Sequence, residues 1–183
     1  MKRTLAGFLG TGMLTLALAV PAQAQARGYV GLGGGLSIPM GDFGNAYKMG
    51  WLGQVVAGIT GPNGMLGGRI DGMYLRHSHD VTDGRSIQLL GANGDLVVSP
   101  GSADAKIRPY LLGGIGFFNV KEDLGSTELP SDTKFAFNLG AGLRFGGSGR
   151  MSFFVEGRYL SIQTEGSSTG MIPIAVGVRW GGN

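Results

Sequence analysis

No cysteine occurs in the 183 residues, so disulfides and thiolate-ligated metal sites are both excluded. Charge is scarce as well: Asp, Glu, Lys and Arg together make up 15% of the chain, against 43% hydrophobic residues. That balance excludes a disordered chain, which needs low hydrophobicity and high charge. Seven prolines without a three-residue period exclude collagen despite the 37 glycines. Beyond the N-terminal segment no run approaches the roughly 18 apolar residues of a membrane-spanning helix. The formal charge of +3 includes Lys2 and Arg3, so removing those two leaves +1 and no case for nucleic-acid binding.

The N-terminus reads as an export signal. Lys2 and Arg3 precede an apolar stretch from Leu5 to Val20, and Ala22-Gln23-Ala24 forms a small-x-small cleavage site. Cleavage is expected after Ala24, with Ala24-Gln25-Ala26 satisfying the same rule two residues later. The expected organisation is therefore a signal peptide at 1–24 and one domain at 25–183, long enough for a single core and hardly for two.

In that domain the dominant signal is alternation with period 2. Phe135, Phe137, Leu139, Ala141, Leu143 and Phe145 form one set, and Ala136, Asn138, Gly140, Gly142 and Arg144 the other. A strand sends successive side chains to opposite faces, so one face here is apolar and the other small or polar. Eleven such residues match the roughly 9–11 that a tilted strand needs to cross a bilayer. Ile172, Ile174, Val176, Val178 and Trp180 repeat the pattern against Pro173, Ala175, Gly177 and Arg179.

Eight such runs are expected: Gly28–Met40, Met49–Thr60, Met65–Arg76, Ser86–Val98, Ile107–Val120, Thr133–Phe145, Met151–Gln163 and Gly170–Trp180. Turn residues separate several of them, as in Gly61-Pro62-Asn63-Gly64, Gly146-Gly147-Ser148-Gly149 and the longer Pro100–Asp104. No 3.6-residue apolar stripe follows the signal segment, so the chain is expected to be all-β. One internal echo stands out. Ile70-Asp71-Gly72-Met73-Tyr74-Leu75 matches Val155-Glu156-Gly157-Arg158-Tyr159-Leu160 in residue type at nearly every place, giving both segments the same facing.

Alternation alone fits a soluble eight-stranded barrel, such as a lipocalin, as well as a membrane barrel, its inside-out relative. The weaker face separates them. Gly31, Gly33, Gly35, Gln54, Gly58, Asn93, Gly114, Gly116, Asn138, Gly140, Gly142 and Gly177 make a poor water-facing surface but suit a narrow lumen that bulky neighbours must share. The charges on that face are Asp71, Asp95 and Glu156 against Arg69, Arg108, Arg144, Arg158 and Arg179. A basic residue at mid-bilayer costs about 2–4 kcal/mol, so these residues are expected to point inward. There Asp71 and Glu156 should pair with several of the arginines, because an unpaired buried charge is costly. On the apolar face Trp51, Phe117, Phe135, Phe145, Phe153, Tyr159 and Trp180 gather toward strand ends, where an interfacial aromatic girdle belongs.

Three segments then carry a family resemblance: Arg108-Pro109-Tyr110-Leu111-Leu112-Gly113-Gly114-Ile115-Gly116, Phe153-Phe154-Val155-Glu156-Gly157-Arg158-Tyr159 and Ile174-Ala175-Val176-Gly177-Val178-Arg179-Trp180. The chain resembles the small outer-membrane β-barrel proteins of the OmpX/OmpA-like superfamily over nearly all of 25–183. The resemblance implies an eight-stranded antiparallel up-and-down transmembrane barrel, integral to the cell outer membrane. It also implies contact with outer-membrane lipid and lipopolysaccharide, and insertion by the assembly machinery that reads the last strand. Members usually end on the aromatic itself, whereas Gly181, Gly182 and Asn183 follow Trp180 here. With the first strand rising from the periplasm, Gly41–Lys48, His77–Arg85, Lys121–Asp132 and Thr164–Thr169 become the outer loops, the place where a ligand of unknown chemistry would bind.

Enzymatic signals are weak. Gly31-Leu32-Gly33-Gly34-Gly35 and Gly113-Gly114-Ile115-Gly116 lack the following helix that a dinucleotide site requires. His77-Ser78-His79-Asp80 offers two histidines on one strand face and no third ligand nearby, and it matches neither the Ser/His/Glu pattern of a lipid A deacylase nor the Asp/His pairs of an outer-membrane protease. No catalytic residue, cofactor or metal is expected. The expected function is that of a non-enzymatic barrel with a structural or surface-interaction role and a filled lumen. A lipid-modifying outer-membrane enzyme and a soluble periplasmic carrier are the alternatives.

Overall fold

The computed structural model describes residues 26–79, 85–102, 105–123, 131–146, 150–164 and 167–181. The expected signal peptide at 1–24 lies outside them, as do Asp80 and parts of the expected outer loops. Eight strands make up nearly all of the described chain: β1 (Arg27–Met40), β2 (Gly50–Thr60), β3 (Leu66–Ser78), β4 (Ser86–Val98), β5 (Ile107–Asp123), β6 (Asp132–Phe145), β7 (Met151–Thr164) and β8 (Ser167–Gly181). Each pairs antiparallel with its chain neighbours, and β8 returns to β1 in register from Tyr29 opposite Gly181 to Met40 opposite Gly170, which closes the barrel. Closure leaves no unpaired sheet edge, a condition for placing strands in lipid.

The alternation read from sequence sets the facing of side chains. Along β6, Leu139 is 69% exposed while Asn138 and Arg144 are buried in the lumen. Val30, Leu32, Val55, Ile70, Leu90, Leu111, Ile115 and Val176 extend the outward apolar surface around the barrel. Contiguous apolar exposure on this scale is far beyond what a water-soluble monomer carries.

Three differences from the expected elements have physical causes. Gly41–Ala46, expected as loop, forms a short helix, α1, which packs against β1 and β8; six residues are too few to show a helical stripe. Several strands outlast their alternation, with β5 running to Asp123 and β7 to Thr164, because ladder hydrogen bonds require no apolar face. The expected loop Thr164–Thr169 accordingly lies largely inside a β7–β8 hairpin, with Thr164 opposite Ser167. At the other end Gly64 and Gly101 adopt positive φ in the β2–β3 and β4–β5 connections, a conformation that glycine supplies without steric cost.

The lumen divides along its length. Toward the end bearing α1, the loop end, Leu52, Met73, Leu75, Leu89, Phe118, Ala136, Leu160, Ile162 and Met171 are buried together, with Phe43 of α1 packed on them. The half nearer the chain termini is polar. The apolar half adds to the small and polar lining read from sequence: Met73 and Leu75 stand two and four residues from Asp71 on the same strand face, so they share its inward facing and are buried with it.

Candidate functional site in the barrel lumen

The echo between β3 and β7 aligns the acids Asp71 and Glu156 on strands that do not touch along the sheet, with Arg69 before the one and Arg158 after the other. On each strand the acid and arginine are two residues apart, so they share the inward face. Arg69 Nε donates to Asp71 Oδ1 at 2.6 Å on its own strand, and Arg69 Nη1 reaches across to Glu156 Oε2 at 2.5 Å. Arg158 reciprocates, donating to Glu156 on its own strand and across to Asp71 Oδ2 at 3.1 Å. The result is a closed ring of four charges that ties β3 to β7. Asp95 of β4 joins at 3.4 Å from Arg158 and accepts from Asn138 Nδ2 at 2.8 Å. Tyr110 Oη donates to Glu156 Oε2 at 2.8 Å. All these side chains are buried, so Glu156 receives three donors away from bulk solvent, and removing it would strand two cations.

Arg108, Arg144 and Arg179 are placed differently. They lie nearer the termini, around a cavity of about 30 Å³ that Tyr29, Tyr110 and Arg69 also line. Arg108 Nη2 donates to the Gly64 carbonyl at 2.7 Å, and the Arg179 guanidinium stacks 3.7 Å from the centre of the Tyr29 ring. Arg108 and Arg144 are direct cross-strand partners on β5 and β6. Of the five arginines singled out from sequence, two therefore enter the acid ring and three form a separate basic group.

Sequence reasoning passed over the inward aromatics. Tyr29, Tyr110, Phe118 and Phe154 are buried, and each stands opposite a glycine in register: Gly58, Gly142, Gly91 and Gly177. A Cβ at any of these glycines would overlap the facing ring, so the glycines make room for rings laid across the lumen. The signal was available for Tyr110, two residues beyond Arg108 on one strand face.

The outward aromatics fall into two groups. Trp51, Phe117, Phe135 and Tyr159 lie toward the loop end, with the Phe117 and Phe135 rings 5.8 Å apart in an edge-on arrangement. Phe145, Phe153 and Trp180 lie toward the termini, where Phe145 and Phe153 are cross-strand partners.

At the loop end His77 points inward and is fully buried, its Nδ1 3.1 Å from the Lys48 carbonyl oxygen and its ring edge-on to Phe43 at 5.3 Å. His79 packs edge-on against Tyr47, also at 5.3 Å. Tyr47 Oη donates to Glu122 Oε1 at 2.7 Å. Burial first, and then that hydrogen bond, raise the Tyr47 phenol above the ordinary tyrosine range. Both histidines are thus engaged with the α1 segment. Among the described residues no group of three or more metal-ligating side chains comes together.

The family model for the outer membrane protein beta-barrel domain matches residues 12–179. No curated protein gives a match. Among solved structures, the surface protein NspA of Neisseria superposes with a TM-score of 0.67 at 16% identity, covering 84% of this chain and 96% of its own. Ail, the attachment invasion locus protein of Yersinia pestis, gives 0.54 at 17% identity over 85% and 99%. The outer membrane enzyme PagL gives 0.51 at 19% identity over 83% and 98%. At these identities the structures speak for the fold alone. With the family match spanning nearly the whole barrel, the chain belongs to the outer membrane protein β-barrel domain family and resides in the outer membrane.

Proposed function

We propose that this barrel is non-enzymatic and acts as a structural or surface-interaction protein whose lumen is filled rather than open. The observation that carries this reading is the pair of blocks in series within the lumen, the ring of Arg69, Asp71, Glu156 and Arg158 and the apolar cluster around Leu160. Eight strands enclose an interior that side chains fill, and these side chains cross it. The outward apolar belt contacts outer-membrane lipid and lipopolysaccharide. Trp51, Phe117, Phe135 and Tyr159 sit at one interface, and Phe145, Phe153 and Trp180 at the other. The assembly machinery would recognise β8, and a ligand, if the protein takes one, would meet the loop end.

PagL shares the fold and is an enzyme, so the absence of catalysis needs its own support. His77 and His79 are engaged with Phe43, Tyr47 and the Lys48 carbonyl, and His77 faces the lumen rather than the lipid on which a lipid-modifying enzyme acts. The soluble-carrier alternative suits neither the apolar exterior nor the family.

Planar-bilayer recording tests the filled lumen. Monomeric protein should give no large, steady conductance, and such a conductance would overturn the reading. Lipid A profiles from cells with and without the gene test the absence of lipid chemistry. They should be identical; a lost acyl chain or other change that depends on His77 and His79 would restore the enzyme.

A further inference from the structure

We propose that the α1 segment is a lid on the loop-end half of the lumen, latched by neutral His77 and released when that imidazole takes a second proton. The lid is lightly held. None of the six residues of α1 is buried, and the Phe43 ring fastens it to the apolar cluster beneath. Segments with so few buried contacts open at the low end of a protein's stability range. Gly41, at positive φ, begins the segment. The Lys48 amide, donating to the Ser78 carbonyl at 2.9 Å, ends it.

His77 is the latch. Its ring is fully buried, lies against Gly50, where an added Cβ would overlap it, and meets the Phe43 ring edge-on. The Lys48 carbonyl only accepts, so the Nδ1 beside it carries the proton of the neutral ring. Nε2 is then the bare nitrogen, and it is buried with no hydrogen-bond partner. A second proton would enter at Nε2 and place a donor and a full charge where nothing accepts them, which costs far more than burying the neutral ring. Lifting α1 admits water to that nitrogen and removes the cost.

Among the described residues, β1, β2 and β4 bring no titratable group to this space; Ser37, Gly50, Leu52, Ile87 and Leu89 face it. Glu122 of β5, opposite Ile87, accepts from Tyr47 Oη and makes no ion pair with His77. His79 follows on the same strand face and packs on Tyr47, while Asp42 is exposed in the first turn of α1. The lifted state binds a proton at the ordinary imidazole value of about 6.5, and the latched state has no place for one, so acid favours lifting. Between pH 7.5 and pH 4.5 one such proton shifts the ratio of lifted to latched lid by up to about a hundredfold. Lifting uncovers an apolar recess at the loop end. It opens no pore, because the ring of Arg69, Asp71, Glu156 and Arg158 still crosses the lumen.

Hydrogen exchange of the Tyr47 and Lys48 amides tests the lid in the full barrel refolded in zwitterionic detergent. With α1 docked these amides donate to the Phe43 and Ser78 carbonyls. After correction for the intrinsic pH dependence of exchange, their protection should fall by up to about a hundredfold from pH 7.5 to pH 4.5. The Leu160 amide should not change. His77→Phe keeps a ring against Phe43 and has no proton to take, so its lid protection should be equal at the two pH values. Glu122→Gln and His79→Phe should each keep the fall. Constant protection in the unaltered protein, or a full fall in His77→Phe, would overturn the proposal, as would loss of the fall in Glu122→Gln or His79→Phe. Should His77→Phe fail to fold, an NMR titration of the His77 ring in the unaltered barrel decides the matter. A midpoint shared with the loss of lid protection supports the latch, and separate midpoints refute it.

Discussion

The two halves of this lumen are filled by opposite means. Toward the loop end, Leu52, Met73, Leu75, Leu89, Leu160 and Met171 pack as in a soluble core, closed over by Phe43. Toward the termini the space is taken by charge, with Arg69, Asp71, Glu156 and Arg158 linked across the barrel. Apolar packing is tolerant, since a lost methylene leaves a cavity whose cost depends on how far the site collapses. An ionic ring is brittle: its attractions offset the desolvation of its members, and loss of one member leaves the others uncompensated. The comparison teaches that one barrel can combine a half that is forgiving with a half that is all or nothing.

The sharpest break in that contrast should come from Glu156→Ala. Arg69, Arg158 and Tyr110 would lose their shared acceptor, and urea unfolding in detergent should show a loss of about 3–5 kcal/mol. Replacing all four ring members by Met and Leu of similar volume in an Asp95→Asn background, so that the loss of Arg158 strands no charge, should bring stability back to within about 2 kcal/mol of the unaltered barrel. If that variant stayed as weak as Glu156→Ala, the brittle-ring account would be wrong.

Leu160→Ala probes the other half. It should cost about 2–4 kcal/mol, and Leu160→Met less than about 1.5 kcal/mol, both read from the same unfolding curves. A Leu160→Met loss as large as that of Leu160→Ala would deny the apolar half its tolerance.

Gly142→Ala tests the boundary between the halves. The added Cβ would overlap the Tyr110 ring and push its hydroxyl from Glu156, at about 1–3 kcal/mol. Tyr110→Ala in the same background should relieve the overlap, leaving the two changes non-additive in a double-mutant cycle.

The smallest effect is expected at the loop end. Tyr47→Phe removes the hydrogen bond to Glu122 and should cost about 0.5–1.5 kcal/mol, visible as faster proteolysis of the α1 segment. Because the folded-state pKa of Tyr47 is raised above its ordinary 10.0, this contribution is fully present below about pH 10 and is lost only as the pH climbs beyond it. Proteolysis rates of the native protein and of Tyr47→Phe should therefore keep a constant ratio between pH 7 and pH 9.5.

Facing was legible wherever the two faces differed in polarity. Phe135 to Phe145 showed its outward set in the order the barrel displays, and Asp71, Asp95, Glu156 and the five arginines all proved to line the interior. At Met73-Tyr74-Leu75 both faces are apolar, so the facing follows only by carrying the phase onward from Asp71, and the packed interior of the loop-end half went unread. The inward rings of Tyr110, Phe118 and Phe154 were missed for a different reason: each is given room by a glycine on the neighbouring strand, and which residue stands opposite is a matter of register. The helix at Gly41–Ala46 was too short to leave a periodic trace.

What the sequence by itself determined follows from local geometry. Alternation requires strands, closure of eight such strands suits their number and length, and a small, sparsely charged weak face assigns the strong face to lipid. Only the tertiary structure decided which arginines meet which acids. Arg69 and Arg158 join the ring while Arg108, Arg144 and Arg179 gather below it, although all five look alike as inward residues of a strand. The reason is that partners across a lumen are set by strand tilt, stagger and curvature, which are properties of the closed barrel and of no single segment.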